Sequence, residues 1–85
     1  MVTEMHVLEI CEEIGSCWHE LGIKLRLPLA VLSNIGVDYR LCREKAREML
    51  YEWMKREGRS ATVDSLVKAL ERIRNKRVAQ KLLGM

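Results

Sequence analysis

Four residues near the N-terminus carry the chemistry of metal ligands: His6, Cys11, Cys17 and His19. A zinc site built from thiolates and imidazoles needs closely spaced ligand pairs, and these four follow none of the recognised spacings. Cys17 and His19 could also be written as a thiol nucleophile and its base. Residues two apart on a helix point to different sides, so that pair fails on geometry. Gly15 and Gly22 do not make a phosphate-cradling loop, because no strand precedes them and the surrounding pattern is absent. No two carboxylates have a cleft around them for acid–base work. Enzyme is therefore the poorest class, and neither a cofactor nor a metal is expected. The three cysteines, odd in number and irregularly spaced, read as free thiols of a reducing compartment, cytosol or nucleus.

The chemistry that remains is charge. Residues 1–23 hold five acids and no lysine or arginine, a net −5; residues 24–85 hold fifteen bases and seven acids, a net +8. The overall +3 conceals a polar molecule. Around the stripe Val7, Ile10, Cys11 and Ile14, the carboxylates of Glu9, Glu12 and Glu13 fall on the outward face, with no base nearby in sequence. A merely solvated helix usually interleaves signs. The bases form a second group: Lys55, Arg56 and Arg59 at a corner, then Lys68, Arg72, Lys76, Arg77 and Lys81 facing outward on the last two helices.

These side chains need elements to hold them. Eighty-five residues make one small domain with a single core, spanning 1–85 with a helical part from about 4 to 83. The content, 48% hydrophobic and 32% charged, suits a folded soluble domain, which is expected to be one module of a larger protein. No charge-free run is long enough for a membrane span, and the acidic N-terminus does not read as a signal peptide. Thr3 caps a first helix that Gly15 stops. Ser16 caps a second helix through Trp18, Leu21 and Leu25. Pro28 opens a third, brief and apolar on several sides, ending near Gly36. Asp38 caps the longest helix, 39–57, whose stripe is Cys42, Ala46, Met49, Leu50 and Trp53. Gly58 ends it, and Thr62 caps the next, with stripe Val63, Leu66, Val67, Leu70 and Ile73. Asn75 caps a last helix carrying Ala79, Leu82 and Leu83. The expectation is an all-α bundle of six helices with a sharp corner between the fourth and fifth. Trp18, Trp53 and Met49 belong to its core, while Met5 and Met54 lie off the stripes.

The run Trp18, Leu21, Gly22, Leu25 and Leu27 resembles the second helix of the death-domain superfamily. The run "KAREMLYEWMKREGRSATVDSLVKALERI" resembles its fourth and fifth helices, through Ala46, Leu50, Trp53, Arg56, Gly58, Ala61, Thr62, Leu66, Ala69 and Leu70. The ordered combination favours the death-domain subfamily over caspase-recruitment, death-effector or pyrin relatives. The resemblance implies a six-helix antiparallel Greek-key bundle without enzymatic activity. It implies a module that binds other death domains, itself or a different one, in apoptotic and inflammatory signalling, in the cytoplasm or on the cytoplasmic tail of a receptor. It also implies that the end of the fourth helix and its corner form one interface.

On that basis Glu9, Glu12 and Glu13 form an acidic face, and Lys55, Arg56, Arg59, Arg72, Lys76 and Arg77 form basic ones. Tyr51 is an interface anchor or a partly covered surface tyrosine. Acids at one end and bases at the other suit head-to-tail docking, which need not close. The alternative is a small basic nucleic-acid-binding domain, given a pI near 8.9 and five bases between Arg72 and Lys81. No helix presents a base-reading array, and the acidic first helix would repel DNA.

Overall fold

Helix boundaries in this chain are set by which terminal backbone donors find an acceptor. The computed structural model describes residues 1–85 and contains no strand. The helices are α1 (Glu4–Ile14), α2 (Trp18–Lys24), α3 (Leu29–Asp38), α4 (Cys42–Glu57), α5 (Val63–Arg72) and α6 (Lys76–Leu83). Short 3-10 turns occupy Gly15–Cys17 and Gly58–Ser60. Thr62 and Asn75 cap as expected: Thr62 Oγ1 accepts from the Ser65 N–H at 3.1 Å, and Asn75 Oδ1 from the Val78 N–H at 3.3 Å. At α1 the Thr3 N–H donates to His6 Nδ1 at 2.9 Å.

The start of α4 departs from expectation. Asp38 is the last residue of α3 and not the cap of α4, and Gly36 does not stop α3. The Leu41 N–H donates instead to Glu44 Oε1 at 3.2 Å, so a carboxylate three residues on does the capping from inside the helix. Glycine at position 36 is compatible with a continuing helix, and a β-carbon there would stand 3.7 Å from the Trp18 ring. Because α4 opens at Cys42, that side chain is exposed and does not join the buried stripe of Ala46, Met49, Leu50 and Trp53. Ser16 sits inside a 3-10 turn and caps nothing, and Pro28 stands one residue before α3. Leu83 is also outside the core; Val78 fills the α6 stripe with Ala79 and Leu82.

Helices α5 and α6 pack as sequence neighbours, but most of the remaining packing joins helices that are not consecutive. Helix α1 packs on α4 and α6, and α2 on α4 and α5, the interleaved order of a Greek-key bundle. One cluster of 23 apolar residues forms the core, with both tryptophans in it and no buried charge. Gly22 is where α2 meets its neighbours: a β-carbon there would lie 2.5 Å from Leu32 Cδ2 and 3.3 Å from Met49 Cγ. Val2, which no periodicity assigned to the core, is buried, and its N–H donates to the Ala61 carbonyl at 2.9 Å. That bond ties the start of the chain to the corner between α4 and α5.

Helices α2 and α5 end alike. The Arg26 N–H donates to the Ile23 carbonyl and the Leu27 N–H to that of Gly22; the Arg74 and Asn75 N–H groups reach Glu71 and Leu70 in the same pattern. This double closure requires a left-handed residue just past the helix, a position usually given to glycine. Here arginine fills it twice, at φ 65° for Arg26 and 61° for Arg74. Each costs roughly 1 kcal/mol against an unstrained backbone.

Candidate functional site

The corner after α4 is rigid for three local reasons. Gly58 adopts φ 56°, which a side chain would strain; Ala61 is buried; and Val2 holds the Ala61 carbonyl. On this frame Lys55, Arg56 and Arg59 are exposed. Arg56 is partly spoken for, its Nε donating to Glu52 Oε1 at 3.1 Å one turn back. Lys55 and Arg59 take part in none of the molecule's ion pairs, and neither do the exposed Arg72, Lys76 and Arg77. Lys68 is bridged to Asp64 at 3.1 Å.

The acidic face is less isolated than its sequence suggests. Because α6 packs beside α1, Lys81 Nζ donates to Glu13 Oε1 at 2.8 Å and lies 3.9 Å from Glu9 Oε2. Arg77, one turn earlier, adds to the positive field at Glu13. Acids and bases separated along the chain are therefore adjacent here in space, and Lys81 is not an outward-facing base. Glu12 alone of the three predicted acids is both exposed and outside the ion pairs.

The hydrogen bond from Lys81 holds the Glu13 carboxyl below its ordinary value of 4.5, and the same bond holds Lys81 above 10.5. The depressed carboxyl contributes stability above its unfolded value, and that contribution is lost as pH falls through the folded one. The raised ammonium contributes below its unfolded value and loses that contribution as pH rises through the folded one. Lys81→Met is accordingly expected to lower the melting temperature at neutral pH and to flatten its decline below about pH 4.5. Melting curves of both proteins between about pH 3 and 6 measure this; parallel pH profiles would show that the bridge contributes nothing.

Tyr51 is half-buried against the core, and burial is the first cause raising its phenol, with Glu4 of α1 adding to it. It thus belongs to the seam between α1 and α4, with only part of its surface open. Cys17 donates its thiol to the Ile14 carbonyl at 2.9 Å and receives the Asn75 side-chain amide at 3.5 Å, which ties the α1–α2 turn to the α6 cap. His19 is exposed, with its ring edge-on to Trp18. No three of the His, Cys, Asp and Glu side chains converge as metal ligands, and no helix is long and apolar enough to cross a membrane.

One groove, of about 320 Å3, lies between the ends of α2 and α4 and the side of α5. Lys24, Arg26, Lys68 and Arg72 line it, with Trp53 and Ala69 among its apolar parts. Of these cations, the sequence places Lys68 and Arg72 on an outward face, and only Arg72 among the expected binding residues. Lys24 and Arg26 follow the α2 stripe and read only as a helix end; a positively charged residue where glycine normally stops a helix was the available signal.

A family model for the death domain matches residues 5–85. The FAS-associated death domain protein of Mus musculus is 35% identical over 71 residues, covering 82% of this chain and 35% of that protein. The chain thus spans about a third of the length of the curated relative it matches.

Proposed function

The chain belongs to the death-domain family, and from that premise we propose that it is a non-catalytic interaction module which assembles with other death domains, its own copies included, by charge-complementary docking. The relative is named for association with FAS, which fits a role in intracellular apoptotic or inflammatory signalling. The observation that carries the reading is the set of exposed cations without carboxylate partners, Lys55, Arg59, Arg72, Lys76 and Arg77, opposite in sign to the exposed, unpaired Glu12. Lys55 and Arg59 rest on a corner pinned by Val2 and Ala61, so little ordering is needed on binding. Glu9 and Glu13 contribute a weaker field, being shared with Lys81. Tyr51 supplies a partly open aromatic edge beside Arg47 on α4.

Unlike faces on one molecule make a heterologous contact that need not close on itself. Such contacts govern partner choice and association rate, and they weaken with salt. Light scattering behind a size-exclusion column, over a protein concentration series, tests this at low salt and at about 0.5 M, where screening is nearly complete. The expected result is mass that grows with concentration at low salt and collapses to a monomer at high salt. A monomer throughout would rule out self-assembly and leave only a partner of different sequence. Growth that persists at high salt would mean that apolar contact, not charge, drives the assembly.

A further inference from the structure

Three cations without carboxylate partners converge on a single groove. Lys24, Arg26 and Arg72 line the depression between α2, α4 and α5 together with Lys68, and only Lys68 has an ion pair, with Asp64. Glu57 is the one carboxylate on the wall, and Ser60 and Ser65 bring hydroxyls to it. Gathering four like charges around a hollow of about 320 Å3 is unfavourable by itself, and an anion inside relieves it.

A second, independent observation concerns the backbone. Arg26 stands at φ 65°, where glycine would close α2 without strain. Its side chain lies on the groove wall, so glycine at this position would remove the charge while relieving the backbone. Arg74 carries the same strain at the end of α5 but does not line the groove. It is the internal control.

We propose that the groove binds a multiply phosphorylated small anion, an inositol phosphate either free or as the headgroup of a lipid, held by Lys24, Arg26, Lys68 and Arg72. Each phosphate offers three acceptor oxygens and nearly two negative charges, which suits guanidinium forks and ammonium groups better than a single carboxylate does. The volume falls at the small end of ligand sites, roughly 300–1,000 Å3, too short to follow a nucleic-acid backbone. The inference shares Arg72 with the docking face but does not depend on self-assembly.

Calorimetric titration with inositol hexakisphosphate at about 0.15 M salt tests binding, and flotation with phosphatidylcholine vesicles, with and without phosphatidylinositol bisphosphate, tests the lipid source. Saturable one-site binding is expected, weakened about tenfold or more by Arg26→Gly and unchanged by Arg74→Gly. Both variants lose one charge and the same backbone strain, and both are expected to melt at or above the wild-type temperature, so a folding defect is separated from lost binding. Binding in solution without flotation assigns the groove to a free anion; flotation as well assigns it to a headgroup. The proposal is overturned by no saturable binding in either assay, or by equal weakening in the two variants, which would mark diffuse surface charge. Displacement of the anion by polyglutamate at comparable concentration would also overturn it, by giving the groove to an acidic protein.

Discussion

Truncation of Trp53 to alanine is expected to destabilise the domain by about 3–5 kcal/mol, the range for a buried aromatic side chain lost from a core. Trp53 is 3% exposed and stands on α4, the helix that α1, α2 and α3 all pack against. Its removal leaves a cavity between elements distant in sequence, where collapse of one helix onto another would break other contacts. A domain of this size has about 5–15 kcal/mol in all, so the variant retains little. At about 4–8 °C per kcal/mol, the melting temperature falls by tens of degrees. Urea unfolding followed by circular dichroism, with the fluorescence of the remaining Trp18 as a second probe, measures the loss. A cost below about 1 kcal/mol would show that the indole only covers the groove and does not hold the bundle together.

The same helix shows what could be read from the chain and what could not. Ala46, Met49, Leu50 and Trp53 announce themselves by a 3.6-residue period, because one face of a long amphipathic helix must be buried. Thr62 and Asn75 are legible for a different reason: a short polar side chain just before an apolar stripe has one evident use. The beginning of α4 was not legible, because Asp38 and Glu44 both offer a capping carboxylate and only the path of α3 decides between them. Cys42 follows from the same ambiguity. Charge was read less well than burial. Helical wheels put Glu13 on an outward face, but they cannot see that α6 lies beside α1 and delivers Lys81 to it. The groove was out of reach for a related reason, since its walls come from three helices and its most informative residue, Arg26, is marked by a backbone angle.

Reversing Arg72 is expected to abolish self-assembly without unfolding anything. Arg72 has no carboxylate partner, so Arg72→Glu breaks no ion pair, and its exposed position at the end of α5 leaves the core untouched. Arg56→Glu is a harsher change, because it loses the bridge to Glu52 and puts two carboxylates one turn apart. In either case like charges meet across the docked faces at a cost of several kcal/mol. Helicity by circular dichroism is expected to stay at the wild-type level; loss of helicity along with assembly would make these residues structural.

The decisive form of the experiment uses a second variant on the opposite face. Glu12→Lys spoils the acidic surface and leaves the basic one intact, whereas Arg72→Glu does the reverse. Each alone is expected to be a monomer at low salt. Mixed, the intact basic face of one variant meets the intact acidic face of the other, and at the second contact the new lysine faces the new glutamate, so both contacts are again complementary. The expected result is growth with concentration that neither variant shows alone. A mixture that scatters as two monomers would mean that Glu12 and Arg72 do not meet across an interface, and the pairing of these two faces would have to be abandoned.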